Sequence, residues 1–301
     1  MQSTKVEKVE KVEKCPVCGG VATELFLACK DHTVSKSSFE IVECKNCGFA
    51  YTSPRPIESE LGKFYESEEY ISHSNTSKGI VSNLYQRVRK HTLAKKLELI
   101  NSVGKKGALL DIGCGTGEFL NTMKSGGWET IGIEPSPSAR KQGVENYNLD
   151  VREEKELENF PPNSFNVITM WHVLEHVPHL LERVQKLKDL LKYDGVLIIA
   201  VPNRNSHDAK HYGEYWAAYD VPRHLYHFRA QDMRTLMGVV GFEVEKILPM
   251  KFDSYYVSML SEKCKTGSNN LISAVWTGWI SNLKAGAEGS SSLIYIIRNK
   301  E

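Results

Sequence analysis

Three groups of residues in this chain have the types and spacing that chemistry needs. The first is a glycine turn, Leu110-Asp111-Ile112-Gly113-Cys114-Gly115-Thr116-Gly117, with an acidic residue closing the next apolar run, Gly132-Ile133-Glu134-Pro135-Ser136. Glycines let the backbone bend sharply and let a ligand come close, because no Cβ intrudes. Glu134 follows the first glycine by roughly 20 residues, the separation at which a carboxylate can accept both hydroxyls of a ribose. The turn alone suits several nucleoside cofactors. Asp111 narrows the choice: a carboxylate inside the turn repels a pyrophosphate but suits an ammonium group.

The second group is rich in histidine. Trp171-His172-Val173-Leu174-Glu175-His176 follows one apolar run, and Tyr219-Asp220-Val221-Pro222-Arg223-His224-Leu225-Tyr226-His227-Phe228 comes after another. Histidine exchanges protons near neutral pH, and ligands of open α/β sheets bind beyond the carboxyl ends of the strands. His172 and His224 are the first candidates for a general base, with His176 and His227 behind them. Each can equally be a packing residue. His172-x-x-Glu175-His176 also has the spacing of inverted zinc peptidases, but that site needs a long helix and Pro178 follows at once.

The third group is Cys15-x-x-Cys18 and Cys44-x-x-Cys47, each followed by a glycine. Two such knuckles can complete a tetrahedron of thiolates around one zinc ion. Four filled positions make the zinc structural, with redox thiols or disulfides as the alternative. Cys29 and Cys264 read as ordinary small residues.

The elements that must position these groups can be read from periodicity. Residues 1–14 are charged and repeat KVE, which predicts a disordered or frayed tail. Residues 15–53 form the ribbon, with short strands at Leu25–Leu27 and Phe39–Glu43. Residues 54–104 form a linker and helices, apolar at Ile80, Leu84, Val88, Leu93, Leu97 and Ile100. From 105 to 301 strands and helices alternate: strands at 108–112, 130–134, near 147–151, 165–170, 195–201, 242–248 and 293–298, and helices at 117–125, after Pro137, and near 180–191. Such alternation predicts an α/β domain with a largely parallel sheet covered on both faces. Phe252 to Leu283, with Trp276 and Trp279, reads as a strand and an apolar helix that packs on the sheet edge or makes a dimer contact.

Formal charge is +1, which gives no field favouring nucleic acid or anionic lipid. No apolar run approaches the ~20 residues that cross a bilayer, and no secretory signal is visible, so a cytoplasmic address is expected.

Taken in order, Leu-Asp-Ile-Gly-Cys-Gly-Thr-Gly, Gly-Ile-Glu-Pro-Ser, Phe-Asn-Val-Ile-Thr-Met-Trp-His-Val-Leu-Glu-His-Val and Leu-Lys-Tyr-Asp-Gly-Val-Leu-Ile-Ile-Ala-Val-Pro-Asn resemble the class I S-adenosylmethionine-dependent methyltransferases over about residues 107–250. They look most like the small-molecule branch typified by ubiquinone-biosynthesis O-methyltransferases. The resemblance implies a Rossmann-like sheet of order 3-2-1-4-5-7-6 with strand seven antiparallel, formed by Leu293–Arg298. It implies that Asp111, Gly113, Cys114 and Gly115 line the methionine end of S-adenosylmethionine and that Glu134, beside Pro135, holds the ribose. It places Asp150 by the adenine, with Met170 and Trp171 flanking the cofactor. A small-molecule acceptor methylated on oxygen or carbon follows. Some members of that branch carry acidic residues at the positions of His172 and Glu175 and bind a divalent cation there; this chain has His172 at the first. Tyr65, Tyr70 and His73 fall where similar enzymes have a lid, and similar ribbons precede some sugar C-methyltransferases. Two other readings stay open: a non-catalytic protein that binds the cofactor or a partner through its ribbon, and an NAD-dependent oxidoreductase.

Overall fold

The computed structural model describes residues 8–65, 80–268, 271–284, 286 and 288–300. Tyr70 and His73 lie outside them. Near the N-terminus β1 (Val9–Glu10) pairs with β5 (Arg55–Pro56). Residues 8–14 are therefore held, where a loose tail was expected. The charge in that stretch is used: Arg55 binds Glu10 at 2.7 Å, and the Val12 amide donates to the Ser53 hydroxyl.

β2 (Thr23–Lys30), β3 (Ser38–Cys44) and β4 (Ala50–Thr52) form an antiparallel ribbon. The large sheet begins with β6 (Ala108–Ile112), β7 (Glu129–Ile133), β8 (Asp150–Arg152), β9 (Phe165–Trp171) and β10 (Leu191–Pro202), all parallel. β11 (Tyr226–His227) leaves that sheet and joins the ribbon beside β4. β12 (Phe242–Pro249) and β13 (Ser292–Asn299) complete the large sheet. Its order is β8-β7-β6-β9-β10-β13-β12, with β13 antiparallel to both neighbours. This is the seven-stranded Rossmann-like order expected.

The strands are where apolar runs must be. Residues 195–202 of β10 are all buried, as in a parallel strand covered on both faces. The Leu180–Leu190 helix buries Leu180, Val184, Leu187 and Leu190, one stripe at helical spacing. Ribbon and sheet share a core: Phe49 of the ribbon lies 5.4 Å from Phe228 and 5.9 Å from Tyr226 between ring centres.

Residues 253–266 form a helix, where a strand was expected. The β-prone Tyr255-Tyr256-Val257 misleads. Ser254, Val257, Ser258 and Ser261 are buried, a spacing that only a helix puts on one face. A second helix, Leu271–Lys284, follows and packs against it. No helix among the described residues is long and apolar enough to cross a membrane.

Candidate active site

The end of β6 and the turn after it build a cradle. Gly113 and Gly115 both have positive φ, +71° and +54°. A Cβ on Gly113 would strike the Val173 side chain, whereas one on Gly115 would meet nothing within 4 Å, so the open side of the turn is at Gly115. Glu134 is buried and clasps this turn. One of its oxygens accepts the Gly115 amide at 2.9 Å and the other accepts the Ser136 amide at 2.9 Å. Burial raises its pKa; the two amides and the Arg140 charge work against that rise. Each oxygen keeps a lone pair for a further donor.

Asp111 is 2% exposed and accepts the Thr169 hydroxyl at 2.6 Å. Burial pushes its carboxyl up to about 7, although the Thr169 bond and the Lys96 charge favour the ionised form. Lys96 was not singled out in the sequence; it sits in a helical run of basic residues and gives no local signal. Its ammonium lies 3.7 Å from the centre of the Trp171 ring. Burial pulls it down to about 8 against the Asp111 and Asp253 charges. The Trp171 indole N–H is buried with no acceptor, an orphan donor beside Lys96.

Four expected cofactor residues stand differently. The Cys114 amide is used by the Ile133 carbonyl and its thiol lies under Gly132, so it supports the turn. Pro135 is exposed. Asp150 lies two residues before the end of β8, and its carboxylate is bound by Arg152 at 2.6 and 2.9 Å. Met170 is fully buried in the sheet core; the two faces of a strand alternate, so Trp171 takes the crevice side.

Beyond Trp171 the chain enters the histidine cluster. His172 has φ +57°, an uncommon conformation for a non-glycine residue and one that costs ~1–3 kcal/mol. Its Nδ1 lies 3.4 Å from Glu175 and its Nε2 3.9 Å from Asp253. Burial disfavours the imidazolium, but the Asp253 and Glu175 carboxylates outweigh it and raise the pKa of His172. Burial opposes the Glu175 anion too, yet His172, His176 and His224 hold its pKa below the usual range. Glu175 is fully buried, and neither oxygen has a hydrogen-bond partner.

His176 and His224 stand beside it. His176 Nδ1 is 3.0 Å from the Arg223 carbonyl, and His224 Nδ1 is 2.8 Å from the Ala218 carbonyl. A carbonyl only accepts, so each Nδ1 carries a proton and donates it there. Tyr65, in the segment expected as a lid, places its hydroxyl 2.9 Å from His176 Nδ1. Burial and the nearby His224 push His176 down to about 4, so it stays neutral. One donor atom from each of Glu175, His176 and His224 lies within 4.8 Å of the others, close enough to hold one cation.

His227 does not join them. It is buried against Tyr219, and the Thr52 hydroxyl, which donates to the His224 carbonyl, lies 3.1 Å from its Nε2. Desolvation holds it far below its usual pKa. It is a packing residue on β11.

The second cluster of donors is the ribbon knuckles. The sulfurs of Cys15 and Cys47 are 3.6 Å apart, as are those of Cys18 and Cys44. A tetrahedron with metal–sulfur bonds of ~2.3 Å has edges of about 3.8 Å. The Gly19 and Gly48 amides close the knuckles onto the Cys15 and Cys44 carbonyls at 2.9 and 2.8 Å. The ribbon grips the histidine loop. Buried Arg223, next to His224, binds Asp220 and reaches Asp31 of the ribbon at 3.3 Å. Arg204 binds Glu43 at 2.7 Å.

A family model described as Methyltransferase domain matches residues 85–247, over half of the chain. The ubiquinone biosynthesis O-methyltransferase of Actinobacillus pleuropneumoniae is 41% identical over 113 residues, 34% of this chain and 47% of that protein. Its namesake from Haemophilus ducreyi is 38% identical over 112 residues, with the same coverage. The chain thus spans about half the length of the curated relatives it matches. Among solved structures, a SAM-dependent methyltransferase from Archaeoglobus fulgidus superposes with a TM-score of 0.51 at 22% identity, over 70% of this chain and 94% of that one. Geranyl diphosphate C-methyltransferase from Streptomyces coelicolor gives 0.51 at 16% identity, over 78% and 87%. Those two likenesses are of fold. The glycine turn, Glu134 and the His172–His176 segment all fall inside the matched span, and on that match the chain belongs to the methyltransferase domain family.

Proposed function

We propose that this protein transfers a methyl group from S-adenosylmethionine to an oxygen or carbon of a small acceptor. One observation carries the reading. An open glycine cradle and a buried Glu/His cluster meet at Val173, so a cofactor seated on Gly115 has proton-handling groups beside it. The donor set fits the cofactor. Asp111 suits its ammonium, Lys96 and the orphan Trp171 N–H suit its carboxylate, and the two free lone pairs of Glu134 suit the ribose hydroxyls. When bound, S-adenosylmethionine supplies an activated methyl group and a neutral sulfide leaving group.

The chain's own task is to align the acceptor and to take its proton. His224 is the base in this reading. The Ala218 carbonyl holds its Nδ1, so in this reading Nε2 takes the acceptor's proton. His172, its Nδ1 3.4 Å from Glu175, holds that carboxylate in place. A second reading is favoured by Glu175, whose two buried oxygens have no hydrogen bond although His172 stands 3.4 Å from one. Glu175, His176 and His224 would hold a divalent cation, which would acidify an acceptor hydroxyl. Mn²⁺ titration followed by electron paramagnetic resonance separates the two readings. One tight ion lost in Glu175→Gln supports the cation; no ion supports the base. The four ribbon cysteines, in this proposal, hold a structural zinc.

Calorimetry tests the main reading. S-adenosylmethionine and its demethylated product should bind at micromolar levels while NAD gives no heat. NAD binding without the sulfonium cofactor would reject it.

A further inference from the structure

The Leu271–Lys284 helix is inside-out. Its buried positions are small or hydroxylic: Ala274, Thr277, Gly278 and Ser281. The helix packs on the preceding one, with Gly278 against Ser254 and Tyr255, and Ser281 donates to Asp208 at 2.8 Å. Among the side chains described, Ile280 is half-buried and the other large apolar ones face outward. Val275 is 56% exposed, Trp276 60%, Trp279 45% and Leu283 64%. These four recur at helical spacing as one stripe, with the two indoles 5.2 Å apart, and Tyr256 of the preceding helix is exposed as well. A helix that only needed to pack on its own protein would turn this stripe inward.

The charges around the stripe have one sign. Between residues 250 and 284 the charged side chains are Lys251, Asp253, Glu262, Lys263, Lys265 and Lys284. All four lysines are exposed. Glu262 is buried on Tyr212 and Ser273, and Asp253 accepts the Ser292 hydroxyl beside His172. Lys263 and Lys265 stand at the tip of the hairpin and Lys251 and Lys284 at its base, with the tryptophans between.

We infer that this hairpin is a docking surface for an anionic lipid bilayer. Indoles have an apolar body and one polar N–H, which suits the headgroup boundary, and flanking lysines add attraction to anionic lipid. The charges argue against a second copy as occupant: in a two-fold contact through this stripe the same exposed lysines of both copies would face each other. Neither helix spans a membrane, so the association is peripheral. The hairpin starts at Asp253, 3.9 Å from His172, so docking sets the histidine cluster beside the lipid surface. The inference goes beyond the proposed reaction and does not depend on it.

The test is sedimentation of the full chain with vesicles of phosphatidylcholine, with and without phosphatidylglycerol. Binding is expected to the anionic vesicles, with a blue shift of tryptophan fluorescence. Trp128 and Trp216 are buried and Trp171 lies in the crevice, so the shift reports on Trp276 and Trp279. Trp276→Ser with Trp279→Ser should weaken partitioning more than about tenfold, while the melting temperature and binding of S-adenosylhomocysteine stay unchanged. Lys251→Glu, Lys265→Glu and Lys284→Glu together should remove the preference for anionic vesicles. No sedimentation, or equal sedimentation of the serine variant, overturns the inference. So does a dimer in analytical ultracentrifugation that the serine variant dissolves, which would assign the stripe to a second copy.

Discussion

Asp111 and Lys96 lie close enough to shift each other, and both titrate near neutrality, at about 7 and about 8. The ammonium of S-adenosylmethionine needs Asp111 ionised, and its carboxylate needs Lys96 charged. Affinity should therefore peak between pH 7 and 8. It should fall below that window as Asp111 takes a proton and above it as Lys96 loses one, by up to about tenfold per pH unit on each side. Calorimetry across pH checks this. In Lys96→Met the alkaline limb should vanish, and the acid limb should move to higher pH because Asp111 loses its cation. Glu134→Ala should weaken cofactor binding by about tenfold or more through lost charged hydrogen bonds; unchanged affinity would remove Glu134 from the ribose site. Lys96 shows what a sequence hides at this scale: a basic residue in a basic helix is marked only by the crevice into which it folds.

At the scale of elements, the glycine turn separates a folding role from a binding role. Gly113→Ala puts a Cβ into Val173 at a positive φ, and should cost roughly 1–3 kcal/mol of stability. Gly115→Ala meets open space, so it should cost only about 1–2 kcal/mol for its φ while blocking the cofactor. Thermal unfolding paired with binding of S-adenosylhomocysteine reads both: Gly113→Ala loses more stability, Gly115→Ala more affinity. The motif spacing made this turn legible, and the strand–turn–helix context confirms it. The roles expected of Asp150 and Met170 are harder to read for a related reason. Their roles depend on where a strand ends and which face each residue takes, and a shift of one or two residues reverses both.

At the scale of the whole molecule, the ribbon and the catalytic sheet are one structure. β11 leaves the catalytic half to pair with β4, and it carries His227 while adjoining His224. Asp31 joins them electrostatically. Burial opposes its charge, but Arg223 and the amides of Thr33, Val34 and Ser35 outweigh that and lower its pKa. Its contribution is thus fully present above the ordinary carboxylate range and lost as pH falls below it. Asp31→Asn should destabilise the protein by about 1–3 kcal/mol at neutral pH by stripping a partner from buried Arg223, with the difference from the parent shrinking in acid. Denaturant melts at several pH values measure it. Metal analysis should return about one zinc per chain, lost in Cys15→Ser with Cys18→Ser and accompanied by a lower melting temperature.

The sequence by itself determined the α/β class, the glycine turn with its two carboxylates, and the pairing of cysteine knuckles, because each depends on neighbours a few residues apart or on a repeated period. Only the tertiary structure decided which histidines meet. His176 and His224 are 48 positions apart, yet their donor atoms converge with Glu175, while His227, three residues from His224, faces the ribbon instead. It also decided the outward face of the Leu271–Lys284 helix. A stripe of large apolar residues reads as core until the opposite, small-residue face is found already packed, and that choice is settled by what the rest of the chain leaves room for.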